Sequence, residues 1–133
     1  MNNLKSALTM KNFYFSKINF ENLAKPGNEK LNIGYKVNYF YNEQNDNLIK
    51  IVFETIITSE NENFFLSLDA VGIFEICPEG LDEVQKNFIL KKNTVAIMFP
   101  FIRSQVSLIT TQPGLKPVLL QPIDVNSLVE QKD

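Results

Sequence analysis

The middle of the chain alternates between apolar and polar positions. Leu31, Ile33, Tyr35, Val37, Tyr39 and Tyr41 take every second place, separated by Asn32, Gly34, Lys36 and Asn38. A period of two sustained over about eleven residues predicts a strand with one apolar face. NEQNDN (42–47) follows as a turn, because Asn and Asp tolerate left-handed dihedrals. LIKIVFETIIT then predicts a partner strand with Ile49, Ile51, Phe53, Thr55 and Ile57 on one face. A second polar turn, SENEN (59–63), leads into NFFLSLDAVGIFEI, so two antiparallel hairpins in series form a meander. The earlier stretch NFYFSKINF predicts a first strand, bulged where Ser16 and Lys17 break the alternation. Phe40, Leu48, Val52, Ile56, Val71 and Ile73 fall on the opposite face. A sheet with two partly apolar faces must cover both, against helices or another subunit.

Past Pro78 and Gly80 the period changes. Asp82 to Lys91 predicts a short helix ending at the lysine pair and Asn93. From Thr94 onward, Val95, Met98, Phe99, Ile102, Val106 and Ile109 keep helical spacing, while Ile97, Phe101 and Leu108 widen that stripe beyond a single core-facing side. This helix contains MFPFIRSQ (98–105). There Pro100 removes one hydrogen bond and bends the axis, and Arg103 argues against a membrane span. Pro113 and Gly114 stop the helix near Gln112. LKPVLLQPIDV (115–125) holds two prolines and is predicted to be irregular; Asp124 or Asn126 then caps a short last helix, NSLVEQ. The first eleven residues stay unassigned, with LKSAL open between a loose helical turn and disorder.

The 133 residues suffice for one domain with its own core. Eleven phenylalanines and four tyrosines, with no tryptophan and 44% hydrophobic residues, imply apolar surface that oligomerisation or a ligand must cover. A net charge of −2 offers no basic field for a phosphate backbone, so nucleic acid is not an expected partner. No run reaches the roughly 18 uncharged apolar residues of a membrane helix, and the N-terminus lacks the apolar core of a secretory signal. A soluble, cytoplasmic protein without membrane insertion is expected. Cys77 stands alone, which excludes an internal disulfide, fits a reducing compartment and predicts a small buried side chain at a strand end. The absence of histidine removes the commonest general base and most transition-metal sites. The five glycines form no phosphate-cradling loop. Glu60, Glu62, Asp82 and Glu83 fall in turns or at a helix start, where solvated or capping roles prevail. No enzymatic activity, metal site or cofactor is expected.

The C-terminal block VAIMFPFIRSQVSLITTQPGLKPVLLQPIDVNSL resembles SecB, the bacterial export chaperone. That family's LFPYAR motif is matched by Met98, Phe99, Pro100, Phe101, Ile102 and Arg103. Its glycine turn, proline-bearing crossover loop and short last helix are matched by Gly114, VLLQPIDV and NSLVEQ. Ile18, Phe20 and Glu21 resemble the family's ISFE motif, and Gly72, Ile73 and Phe74 its GGIF strand end. The resemblance implies an α+β fold: a four-stranded antiparallel sheet (12–76) with helices on one side (79–112), a crossover loop (113–125) and a short last helix (126–131). It also implies a homotetramer, a dimer of dimers, with Met98, Phe99, Phe101, Ile102, Arg103 and Val106 at the interface between copies. The implied function is an ATP-independent holdase that binds unfolded polypeptides or preproteins for Sec export. Its client grooves would be lined by Tyr35, Tyr39, Leu115, Val118, Leu119, Leu120, Ile123, Val125 and Leu128.

One part of the pattern departs. The family docks on the motor SecA through acidic residues on the outer sheet face. Glu21 fits, but Lys17 and Ser67 stand where two further acids are expected. That weakens the electrostatic match. Two alternatives stay open: a dedicated SecB-like chaperone of a toxin–antitoxin system, binding its antitoxin, and a non-chaperone oligomeric scaffold.

Overall fold

The structure, a computed structural model, describes residues 7–23 and 30–130. Four strands, β1 (Leu8–Asn22), β2 (Leu31–Tyr41), β3 (Leu48–Ser59) and β4 (Phe64–Ile76), form one antiparallel sheet. Of LKSAL, Leu4, Lys5 and Ser6 lie outside the described residues, whereas Leu8 opens β1.

The hairpins β2–β3 and β3–β4 form as the alternation predicts. Sheet order is β1-β4-β3-β2, however, so β1 lies beside β4, in a Greek-key arrangement rather than a four-strand meander. β1 carries two register shifts, between Met10 and Asn12 and between Phe15 and Lys17. The second is the bulge predicted at Ser16–Lys17. Together they let Leu8, Phe13, Phe15 and Phe20 all pack against the core, although their parities differ.

The turns use their polar residues in an unexpected way. In the first, Asn42 Oδ1 accepts from the amides of Gln44 (2.8 Å) and Asn45 (2.9 Å), an Asx turn without left-handed backbone. In the second it is Glu62, not an asparagine, that takes a positive φ of 64°. Ser59 Oγ accepts from the amides of Asn63 and Phe64 (both 3.1 Å).

The inner face holds Ile49, Ile51, Phe53 and Ile57 of β3 against Phe64, Leu66, Leu68, Ala70 and Phe74 of β4. Gly72 of β4 lies where the long helix crosses the sheet. A Cβ there would stand 2.8 Å from Phe74 Cε1 and 2.9 Å from Met98 Sδ, closer than carbon tolerates.

Asp82 starts the helical region with a capping box: its Oδ1 accepts from the Gln85 amide (2.8 Å), and Gln85 Oε1 accepts from the Asp82 amide (3.0 Å). The helix does not stop at the lysine pair. α1 (Glu83–Phe88) passes through a π turn (Ile89–Asn93) directly into α2 (Thr94–Ile109). Lys92 lies over the Phe88 ring at 5.3 Å, on the outside of the helix. The buried residues Ile89, Leu90, Thr94 and Val95 flank the pair on both sides, so a break here would leave unpaired backbone in the core. Buried positions recur every fourth residue at Leu90, Thr94, Met98, Ile102, Val106 and Thr110. An ideal helix turns such a stripe by about 40° per step, and the wider π turn counters that drift.

The helix ends at Ile109, three residues before the expected Gln112. Side chains satisfy its last carbonyls: Thr110 Oγ1 donates to Val106 O (2.8 Å), Thr111 Oγ1 to Ser107 O (2.6 Å) and Gln112 Nε2 to Ile109 O (2.8 Å). Cys77 is exposed, not buried, because β4 has ended at Ile76. Its amide donates to Ala7 O (2.7 Å). α3 (Val125–Glu130) is capped by Asp124, which accepts from the Asn126 amide (3.1 Å) and the Ser127 hydroxyl (3.1 Å). Among the described residues, no helix is long and apolar enough to cross a membrane.

Candidate functional site

The segment between α2 and α3, residues 111–124, has no helix or strand and contains Pro113, Pro117 and Pro122. We call it the strap. With three amides absent, its own backbone pairing stops at the isolated bridge Gln112–Leu115, so side chains position the rest. Arg103, in the middle of α2, and Thr110, just past its end, make two such bonds. The Val118 amide donates to Thr110 Oγ1 (2.8 Å), and Arg103 Nε donates to Leu120 O (2.9 Å). Leu120 thereby enters the core, 2% exposed, while Leu119 between the two anchors is 70% exposed. α3 then packs against β2 and the π turn.

The nine residues expected to line a client groove divide by position. Tyr35 and Tyr39 of β2, Leu115, Val118 and Ile123 of the strap and Val125 of α3 are partly buried, each packed against the core; the seam between β2, the strap and α3 is where they come from. Leu120 and Leu128 belong to the core in this conformation. Leu119 stands outside. Tyr35 sits edge-on to Phe53 (5.9 Å) and Phe99 (5.8 Å). Burial pushes its phenol above the ordinary value, and the Arg103 guanidinium pulls it partly back. The Tyr39 hydroxyl donates to Lys91 O (2.7 Å), a carbonyl in the π turn. Burial, with Tyr41 beside it, pushes the Tyr39 phenol up to about 12, so it remains a neutral donor.

On the far side of the strap, a cleft of about 550 Å³ runs along α2. Pro100, Arg103, Ser104, Ser107, Leu108, Thr111, Leu119 and Leu120 line it. The expected interface residues Met98, Phe99, Ile102 and Val106 do not face this side. They are buried in the chain's own core, because the sheet claims the α2 stripe that holds them. Phe101, which touches Phe13 at 5.1 Å, and Arg103 remain exposed. The exposed stripe is Ile97, Phe101, Ser104 and Leu108, three apolar residues and one serine spaced four, three and four residues apart. That spacing suits packing against a second helix. The width of the apolar pattern around Ile97, Phe101 and Leu108 was its only sequence signal.

Glu21, the expected docking residue, lies beside Glu60 and Glu62 at a second cleft of about 570 Å³. Its neighbours on the outer face are not acidic overall. The register aligns Lys17, Asp69, Glu54 and Lys36 in one row across all four strands, so two lysines flank two carboxylates. Glu54 also accepts from Asn38 Nδ2 (2.8 Å). Ser67 is buried. No group of metal-ligating side chains occurs among the described residues.

The SecB family model, described as preprotein translocase subunit SecB, matches residues 2–133. An uncharacterised protein of Methanocaldococcus jannaschii is 30% identical over 133 residues, covering 94% of this chain and 84% of that protein. The protein-export protein SecB of Rickettsia akari is 24% identical over 129 residues, covering 90% of this chain and 83% of that one. The fold is also similar to a Mycobacterium tuberculosis SecB-like chaperone solved in complex with an antitoxin peptide. The TM-score is 0.69 and the identity 12%, with 91% of each chain covered. Whole-length match and shared fold together place the chain in the SecB family.

Proposed function

We propose that this protein is an ATP-independent holdase that binds unfolded polypeptides along the seam between β2, the strap and α3. The observation that carries this reading is the set of half-buried side chains that β2 (Tyr35, Tyr39), the proline-rich strap (Leu115, Val118, Ile123) and α3 (Val125) each pack against the core. Apolar area contributes nondirectional affinity of roughly 25 cal/mol per Å² buried, which suits clients of varied sequence. Two copies would pack through the Ile97–Phe101–Ser104–Leu108 stripe, building the homotetramer that family membership suggests.

Two client classes compete: preproteins for Sec export, and a dedicated antitoxin. The mixed row Lys17–Asp69–Glu54–Lys36 favours the second, because a partner seeking an acidic outer face finds its charge cancelled. The test is to dilute a chemically unfolded, slow-folding protein into the purified chain, follow refolding, and weigh any complex by light scattering. Delayed refolding with four subunits per client supports a general holdase. Unchanged refolding removes that reading and leaves the single-client chaperone or the scaffold.

A further inference from the structure

The conformation described above is closed. Leu120 and Leu128 are packed in the core, and the seam offers a client only the edges of its other side chains. Opening requires the part of the strap beyond Gln112 to lift, and two hydrogen bonds tie the backbone of that part to Arg103 and Thr110. One comes from the middle of α2 and one from the residue that follows it: Arg103 Nε donates to Leu120 O (2.9 Å), and the Val118 amide donates to Thr110 Oγ1 (2.8 Å). Thr110 is itself fixed, since it is fully buried and its hydroxyl donates to Val106 O (2.8 Å). The hydroxyl proton is thereby directed to the helix, which leaves the oxygen's lone pairs facing the strap. The anchors lie two residues apart on the strap, so release of one loosens the chain that carries the other.

We infer that Arg103 and Thr110 form a two-bond latch that sets how often the strap lifts, and so gate the client seam. The gating half of this inference rests on the holdase reading above; the latch itself does not. A client that binds only the open state has its apparent affinity reduced by the fraction of open molecules. Weakening the latch therefore tightens client binding, the reverse of what a merely destabilising substitution does. Both are positioning residues, acting through the strap rather than on the client.

The test compares Arg103→Met, which keeps the aliphatic stem and loses the donor, with Arg103→Gln, whose amide nitrogen sits at the same bond count from Cα as Nε. Amide hydrogen exchange is read at Val118, which bonds to Thr110 and not to Arg103. R103M is expected to speed Val118 exchange about tenfold, with Phe53 in β3 unchanged, and R103Q to restore most of the protection. Affinity for α-lactalbumin kept unfolded by reduction and carboxymethylation should rise about tenfold in R103M. Thr110→Val, which preserves shape in the core, should raise that affinity likewise and serves if R103M fails to fold. Unchanged Val118 exchange in R103M, or R103Q behaving as R103M, overturns the latch. If the wild-type chain binds no unfolded α-lactalbumin while Val118 responds as stated, the latch stands and the general-client reading falls.

Discussion

The inner face of the sheet and the strap are both apolar, yet they are held in opposite ways. Phe53 is fully buried, paired across β2 and β4, stacked on Phe99 at 6.2 Å and met edge-on by Tyr35. Its position is fixed several times over. Leu119 lies between two backbone anchors, at Val118 and Leu120, and its own side chain is largely in solvent. A redundant platform and a sparsely tethered cover are what a binding seam needs. The platform keeps the fold while the cover opens at low cost.

The contrast can be broken first at the platform. Phe53→Ala should destabilise by about 3–5 kcal/mol, enough to unfold much of the population, as read by urea denaturation. The other large effect runs the opposite way. Thr55 is fully buried at the centre of β3, and its hydroxyl has no hydrogen-bond partner. Thr55→Val should stabilise by about 1–2 kcal/mol without moving the strap, since the buried hydroxyl's desolvation is removed. Loss of stability in T55V would show that this hydroxyl has a partner after all.

A smaller effect comes from pH. Tyr39 joins β2 to the π turn and titrates at about 12, above the model-compound value of 10.0. A pKa raised in the folded state gives stability that is complete below pH 10 and lost as pH climbs toward 12. Tyr39→Phe should flatten that part of the stability–pH curve. The smallest effect on folding belongs to Leu119→Ser. It should leave the denaturation midpoint within about 0.5 kcal/mol of the parent. Because Leu119 stands outside the seam, client affinity by isothermal titration should be unchanged; a clear loss of affinity would place the client on the outer side of the strap.

Much of the platform was legible in the sequence, because alternation is a local signal. β2, β3 and β4 follow directly from it, and the Ser16–Lys17 bulge showed as a break in phase. The place of β1 beside β4 was not legible, since nothing local to residues 8–22 names a distant partner. The lysine pair suggested a helix end because Lys and Asn are common there, but burial of Leu90 and Thr94 on either side overrode that preference. In the strap the irregularity was visible from its prolines. Which aliphatics turn inward was not, for a segment without a period gives no facing rule. Arg103 showed the same limit: its partner is a backbone carbonyl, which leaves no mark on residue types.

Clients that bind the seam formed by β2, the strap and α3 would shield its backbone amides. Hydrogen exchange measured with and without bound, carboxymethylated α-lactalbumin tests this most directly. Slower exchange confined to β2, the strap and α3, with β3 and β4 unchanged, is the predicted result. Protection on the outer sheet face, around Lys17, Glu54 and Asp69, would contradict it.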